Sequence, residues 1–570
     1  MAGTETVVAE VTRHGKLVYA EPYFEAGSSF LLEQRSRGAV RVGDLVVVRK
    51  GRKRASLERV LGRSDRIENV LEGLLVEKGR RRDFEPYERP SPSARERIDL
   101  RGELAFTIDP ETAKDFDDAI SVREEPGGMR VFVHIADVSA YLPAGVPLDY
   151  GAAERAFSTY VPGLVAPMLP PELSEDACSI RPNQDRLCVT TEILFDAAFR
   201  VGEPRFYRSV IRSRARLSYP QAERILSGEE QAEPELAAAL ERADRVSAEL
   251  RRRRFERGAL KLVKPELAFS FDGKGGVARA WLEQEPRAHA LVEELMIITN
   301  EAVGRFLAER QKPALFRVHE RPDAQSVASL LAKLVALEVP TPPAPKKISL
   351  APDEVERLVA EVAEKVSDYV ERSGRGRGAF PPLVLRALKQ ARYDPRNLGH
   401  SGLASRAYCH FTSPIRRYPD IVCHRSLLRE LGLTDDPLPG DLDGLAERVS
   451  AVEREAAEIE YQADDICSAW LLEARLRASG LDERFQGEIV GLIDAGLFIR
   501  FGEAFEGFLP ARRLGGDYYQ LDPLGIALVG RRGGRYRLGD GIEVQVEKVE
   551  RSSGKVELRL PESTRGRKRR

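Results

Sequence analysis

Asp109-Pro110-Glu111-Thr112-Ala113-Lys114-Asp115-Phe116-Asp117-Asp118 puts four aspartates within ten residues and runs straight into the strand-like Ala119-Ile120-Ser121-Val122. Like charges this close repel, so some must take up protons or share a cation. Oxygen ligands without a nearby His or Cys suit a hard ion such as Mg2+ or Mn2+ and argue against zinc. An EF-hand calcium loop needs Gly at its sixth position and Glu at its twelfth. Counted from Asp109, those positions hold Lys114 and Ile120. Charge alone leaves two readings, a cation site and a solvated acidic loop.

Downstream, Arg130 to Val138 reads as a buried strand of the same sheet. His134 there is a core histidine rather than a metal ligand, and Asp137 is a carboxylate that needs a partner. Tyr160-Val161-Pro162-Gly163 and Pro167-Met168-Leu169-Pro170-Pro171 trace an irregular, proline-rich path around a site. The charged stretch 221–262 is helical and holds Arg251-Arg252-Arg253-Arg254, either a solvated face or a nucleic-acid contact. Leu291 to Asn300 forms another helix, its apolar face interrupted by Glu293 and Glu294.

With 570 residues the chain has room for about three or four domains, and 42% hydrophobic content supports real cores. Lys plus Arg (89) balance Asp plus Glu (90). No apolar run approaches a membrane span and no signal segment opens the chain, so a soluble protein away from membranes is expected. Five cysteines without a CxxC pairing fit core thiols in a reducing cytoplasm.

The fold class expected is multidomain α+β, with small OB-like β-barrels flanking a large mixed α/β unit. Residues 1–65 carry short strand patterns at Val7–Val11, Lys16–Ala20, Phe30–Leu32 and Leu45–Val48, as in an OB-like barrel. The turn Arg49-Lys50-Gly51-Arg52-Lys53-Arg54 at its end favours phosphate contact. Residues 66–98 read as a linker in which Ile67–Leu75 offers a short element, and 99–480 as the large unit. Residues 481–560 alternate as a second barrel, in which Phe498, Phe508 and Tyr518 are candidate stacking platforms for single-stranded nucleic acid. The basic tail 561–570 is disordered by composition.

A second informative stretch is Phe411-Thr412-Ser413-Pro414-Ile415-Arg416-Arg417-Tyr418-Pro419-Asp420. Ser or Thr before Pro often opens a helix, and a helix N-terminus with two arginines is a natural anion site. The arginine fork suits phosphate. An acid cluster joined to such a helix start is the kit for metal-assisted phosphodiester hydrolysis.

The acidic stretch resembles the signature of the ribonuclease II/ribonuclease R family, whose catalytic unit is the RNB domain. Val133-His134-Ile135-Ala136-Asp137-Val138, Pro167-Met168-Leu169-Pro170, Glu293-Glu294-x-Met296-Ile297-x-x-Asn300 and Thr412-Ser413-Pro414-Ile415-Arg416-Arg417-Tyr418 match it in order. The resemblance implies a processive 3′-to-5′ exoribonuclease that degrades single-stranded RNA to 5′-nucleoside monophosphates with Mg2+. The second barrel is then an S1-type RNA-binding domain. The chain departs from the family in having one barrel before the catalytic unit where many members have two.

Carried over residue by residue, Asp109 and Asp118 resemble the metal-holding residues, with Asp115 and Asp117 completing the acidic site. Asp117 falls where the family keeps its most demanding carboxylate. Arg416 matches the arginine that grips the scissile phosphate, with Arg417 beside it on the substrate. Tyr160 matches the aromatic that stacks on the 3′-terminal bases, and Phe269 the clamp at the channel mouth. Tyr219 and one of Glu293 and Glu294 resemble the residues that sense ribose, whose 2′-hydroxyl separates RNA from DNA. Asp464 stands in place of a glutamate near the channel base. Two other readings remain: a catalytically silent RNA-binding regulator on the same scaffold, and a metal-dependent deoxyribonuclease or phosphatase. A monomer is expected, with single-stranded RNA as its partner.

Overall fold

The computed structural model describes residues 6–561 except 37, 52–53, 89–90, 93–94, 262–266, 283–286, 344–351, 481 and 503. Arg52, Lys53 and the basic tail from Arg565 to Arg570 lie outside the described residues.

β1 (Thr6–His14), β2 (Leu17–Pro22), β3 (Phe30–Leu32), β4 (Asp44–Lys50) and β5 (Arg54–Arg63) close a barrel in the order β1-β2-β3-β5-β4. Alternation divides their side chains between two cores. Val7, Ala9, Val11, Val46 and Val48 fill the barrel, while Val8, Leu45 and Val47 face outward. That outer apolar face needs a cover, and α1 (Ile67–Glu77) supplies it with Val70, Leu71 and Leu74. The expected linker 66–98 therefore opens with a helix, because Leu45-Val46-Val47-Val48 is buried on both sides.

The central unit is built on a six-stranded sheet: β6 (Ile98–Asp99), β7 (Ala105–Asp109), β8 (Asp118–Glu125), β9 (Gly128–Ala136) and, after α2 (Pro147–Arg155) and the hairpin β10 (Thr159–Val161) and β11 (Leu164–Ala166), β12 (Asp185–Asp196) and β13 (Arg205–Ser218). The strand order is β12-β9-β8-β7-β13-β6. Strand β13 pairs antiparallel with β12 over its first half. It is irregular between Ser213 and Ala215 and then runs parallel to β7. A bulge re-aims a strand in this way, so the sheet curls and β13 delivers Ser218 opposite Asp109.

His134 is buried between Ser121 Oγ (3.0 Å) and Thr190 Oγ1 (2.9 Å), a core histidine as expected. Asp137 finds its partners in Arg97 (2.7 Å) and Arg208 (3.1 Å), which hold its carboxyl below the usual range despite burial.

One face of the sheet packs on α3 (Tyr219–Leu226), α4 (Pro234–Glu256) and, after the hairpin β14 (Leu267–Phe271) and β15 (Val277–Leu282), α5 (Arg287–Glu309). The four-arginine run lies in α4, where Arg252 and Arg253 pair with Glu249 and Arg254 is buried against Glu294. Next come β16 (Phe316–Val318), the helices α6 (Ala324–Ala336), α7 (Pro352–Ser373) and α8 (Phe380–Leu385), β17 (Arg392–Asp394), α9 (Tyr418–Glu430) and the 38-residue α10 (Leu442–Ser479). Helix α10 buries Ile459, Ile466 and Trp470 against α1 and the first barrel. Arg551 of the second barrel covers the Trp470 ring, 4.5 Å from its centroid.

That second barrel joins β18 (Arg484–Ile493), β19 (Gly496–Phe501), β20 (Phe505–Pro510), β24 (Gly541–Glu550) and β25 (Lys555–Arg559), with a three-stranded sheet β21 (Tyr519–Leu521), β22 (Ala527–Gly530) and β23 (Arg535–Arg537) inserted after β20. Among the described residues no helix is long and apolar enough to cross a membrane.

Candidate active site

Asp109 ends β7 and Asp118 starts β8, so the loop between these two central strands holds both ends of the acidic stretch at the same end of the sheet. Phe116 anchors this loop in an apolar core, and its amide donates to Ser179 Oγ (3.0 Å). Arg216 of β13 donates to the carbonyls of Pro110 and Glu111. Burial raises the carboxyls of Asp109 and Asp118 to about 6 and about 8, with the charge of Asp115 adding to the first and that of Asp109 to the second. Asp109 Oδ2 is buried without a hydrogen-bond partner.

The other two aspartates turn elsewhere. Asp117 is 5% exposed and its carboxyl is raised well above the usual range by burial, against which Arg416 pulls it down. Its Oδ1 accepts the Ile415 amide (2.8 Å), and its Oδ2 lies 3.6 Å from Arg416 Nε. Asp115 Oδ2 accepts the Tyr160 hydroxyl (2.7 Å). Among the described residues no three His, Cys, Asp or Glu side chains group closely enough to hold a metal by themselves. Of the four aspartates expected as one ligand set, Asp117 and Asp115 are engaged by the Ile415 amide and the Tyr160 hydroxyl, while Asp109 and Asp118 sit at the two strand ends.

The Thr412–Arg417 segment is not the helix start its Ser-Pro pair suggests. Helix α9 begins at Tyr418, with Pro419 in its first turn. The preceding amides are taken by carboxylates and an amide: Phe411 N by Asn300 Oδ1 (2.8 Å), Ser413 N by Asp420 Oδ1 (2.8 Å) and Ile415 N by Asp117. The protein's own side chains fill the anion positions that a free helix N-terminus would offer. Arg417 is ion-paired to Asp420 (2.8 Å). Arg416 donates to Ser413 Oγ (3.1 Å) and keeps its side chain 45% exposed.

A cavity of about 1590 Å3 opens in front of this loop. Asp115, Tyr160, Phe269, Arg416, Arg417 and Asp464 all line it. Helix α10 also turns Glu453 and Glu460 to it, and Glu460 accepts the Tyr160 amide (2.8 Å). Neither glutamate was signalled by the sequence, because a long amphipathic helix does not announce which of its carboxylates face a cavity.

The ribose-sensing candidates are placed differently. Tyr219 starts α3 one residue past Ser218, the partner of Asp109, and its ring stacks on His289 (3.6 Å, 22°). Glu294 is 2% exposed and bound by Arg254 (2.6 Å). Glu293 is half-exposed, with Arg254 at 3.4 Å. None of the three belongs to the cavity lining. For Glu294 the reason is plain: Arg254 needs a buried counter-charge and Glu294 is it. No sequence signal marked His289.

On the second barrel Phe498 and Phe508 are opposite each other in register, rings 5.2 Å apart. Tyr518 is exposed, with the Arg531 guanidinium 4.7 Å from its ring centroid.

Two domain types account for most of this architecture: residues 97–432 match the RNB domain, and residues 480–560 the S1 RNA binding domain. The chain belongs to the RNB-domain family of ribonuclease II and ribonuclease R. It is 36% identical over 486 residues to ribonuclease R of Aquifex aeolicus, covering 84% of this chain and 66% of that one. It is 35% identical over 494 residues to ribonuclease R of Escherichia coli, covering 84% of this chain and 59% of that one. The chain thus spans about two thirds of the length of these relatives or less. The fold is shared with Mycoplasma genitalium RNase R in complex with ribose-methylated single-stranded RNA (TM-score 0.85, 24% identity, 98% of this chain and 90% of that one).

Proposed function

We propose that the chain is a processive 3′-to-5′ exoribonuclease that hydrolyses single-stranded RNA to 5′-nucleoside monophosphates with a divalent metal, in RNA turnover. The observation that carries this is the position of Arg416, half-exposed at the cavity wall and 3.6 Å from buried Asp117. Polarity and product are what the family resemblance implies. The five buried, free cysteines fit a cytoplasmic setting and a monomer is the simplest form.

Asp109 and Asp118 fit a metal such as Mg2+ or Mn2+. Burial raises both carboxyls, with the charge of Asp115 adding to Asp109 and that of Asp109 to Asp118, and Asp109 Oδ2 is buried without a hydrogen-bond partner. Mg2+ is commonly held by one or two carboxylates plus substrate phosphates, so a protein pair is enough. When bound, the metal supplies positive charge for the phosphate and a more acidic water. The remaining work falls to the chain's own residues. Arg416 clamps the scissile phosphate with its planar fork, and Asp117 fixes both the guanidinium and the Ile415 amide. Tyr160, locked by Asp115 and Glu460, presents an aromatic face to the terminal bases.

Incubating 5′-labelled single-stranded RNA with and without Mg2+ tests this. The expected result is metal-dependent loss of full-length RNA to a short labelled end product without a ladder, slowed strongly by Arg416→Lys. Absence of cleavage favours the silent regulator, and equal loss of single-stranded DNA favours the deoxyribonuclease.

A further inference from the structure

His410 lines the same cavity as Arg416 and Arg417. Its ring is wedged between Tyr393 and Tyr408, which meet it edge-on with centroids 5.5 and 5.8 Å away. Its Nδ1 lies 2.7 Å from the Tyr393 hydroxyl. That tyrosine cannot turn away. Arg317, its partner in the β16–β17 register, covers the ring 4.9 Å from the centroid and is ion-paired to Glu453 (2.6 Å). Ser450 Oγ of α10 accepts the Tyr393 amide (3.0 Å).

These contacts fix where the imidazole carries its proton. Tyr393 is 2% exposed, and burial raises its phenol well above the ordinary range, so the hydroxyl stays protonated. A buried hydroxyl needs an acceptor, and among the described residues His410 Nδ1 is the one it has. Burial, then the charges of Arg417 and Arg317, hold His410 well below the usual histidine range, so the ring is neutral. A neutral imidazole has one N–H, and a nitrogen that accepts from a phenol does not carry it. The proton is therefore on Nε2. Among the described residues Nε2 has no hydrogen-bond partner, yet it is not sealed in, unlike the buried and partnerless Nδ1 atoms of His400 and His424. A donor without a partner thus opens on the cavity wall that carries the arginines.

We propose that His410 is a substrate-contacting residue of this site, its Nε2–H donating to a non-bridging phosphate oxygen of the RNA strand beside the phosphate clamped by Arg416. Tyr393 is its positioning residue, which aims the N–H by giving its own proton to Nδ1. The contact rests on the RNA-degrading reading above and deepens it. Arg416 supplies charge to the strand, and His410 supplies direction without adding a cation.

The test uses the full chain carrying Asp117→Asn, so that RNA is held without turnover, and measures binding of labelled single-stranded RNA, and of DNA of the same sequence, across a salt series. His410→Phe keeps the wedged ring and loses the donor. It should weaken binding of both strands by about tenfold, as expected for one hydrogen bond to a charged group. The salt slope should stay where it was, because no cation is lost, whereas Arg416→Gln should shallow it by about 0.7. His410→Gln, whose amide N–H can replace Nε2–H, should recover most of the affinity. Tyr393→Phe should cost about twofold, since a neutral ring freed from the phenol shares its proton between two nitrogens. In the His410→Phe chain the same change should cost nothing further. Thermal melts establish that each variant is folded, and where His410→Phe is not, His410→Asn, too short to place a donor at the Nε2 position, carries the same expectations.

Unchanged affinity in the folded donor-less variant overturns the contact while leaving the exoribonuclease reading intact. A shallower salt slope in that variant means a cationic ring and overturns the neutral donor. A loss confined to RNA assigns the N–H to the 2′-hydroxyl and overturns the phosphate. Failure of the parent protein to bind RNA at all overturns both readings.

Discussion

Asp117 joins two segments 298 residues apart: one carboxylate oxygen accepts the Ile415 amide at 2.8 Å and the other faces Arg416 Nε at 3.6 Å. The same side chain therefore shapes the arginine loop and sets the charge beside it.

These two roles separate by mutation. Asp117→Asn retains an oxygen for Ile415 N but loses the charge facing Arg416, so RNA should bind while turnover falls by at least about a hundredfold. Asp117→Ala also strands a buried amide, which costs about 1–3 kcal/mol. Thermal melts should show the alanine variant less stable than the asparagine one. Single-turnover cleavage of labelled RNA measures the rate, and near wild-type turnover in Asp117→Asn would refute the assignment.

Such long-range partnerships set the limit of what the sequence shows. The acid signature was legible because Asp109 to Asp118 is contiguous, and both barrels because period-two alternation marks short strands. Tyr160, Phe269 and Arg416 were singled out through the family resemblance, and the structure places all three on one cavity. The start of α9 was not legible, because Asp117 and Asp420 take the amides that a Ser-Pro helix start would leave free. Helix α1 was legible only as a short element at Ile67–Leu75 within a linker, because its reason to fold is the outer face of β1 and β4.

Metal and protons should compete at the acidic pair. Asp109 and Asp118 are raised to about 6 and about 8 from a usual carboxylate value of about 3.9. A raised folded-state pKa stabilises fully below the unfolded value and is lost as pH rises through the folded one. With a chelator present, this contribution should disappear between about pH 4 and pH 8. Mg2+ binds the charged pair, so the Tm gain from Mg2+ over chelator should grow as pH rises through that window. Asp118→Asn should flatten the growth. A Mg2+ gain independent of pH in the wild type would exclude the pair as the metal site.

Asp420 is a second hidden support of the loop. It is fully buried, accepts Ser413 N (2.8 Å) and pairs with Arg417 (2.8 Å). Asp420→Ala leaves the buried guanidinium uncompensated, at a cost of about 3–5 kcal/mol. The freed loop should misplace Arg416, and an error of about 1 Å can cost on the order of a hundredfold in rate. Asp420→Asn keeps an acceptor for Ser413 and should recover part of the rate. The comparison is kcat at saturating RNA for variants shown to be folded; wild-type kcat in folded Asp420→Ala would exclude a positioning role.

Ribose discrimination should separate Tyr219 from Glu294. Tyr219 follows the residue opposite Asp109 and stacks on His289, so its ring belongs to the metal end of the sheet. Glu294 neutralises Arg254 in the interior, with both side chains nearly inaccessible. Glu294→Gln should therefore act on stability, at the lower end of the roughly 3–5 kcal/mol range for a broken buried pair, since Gln still accepts one hydrogen bond. It should leave the RNA-to-DNA rate ratio where it was. Tyr219→Ala should narrow that ratio, because a sugar without its 2′-hydroxyl is then no longer distinguished by an unpaired polar contact. The ratio at saturating substrate and the Tm, measured for both variants, give a two-by-two outcome. A ratio that collapses in Glu294→Gln while Tm holds would mean that Arg254 releases the glutamate to the substrate, and the ion pair would then be a resting arrangement rather than a structural one.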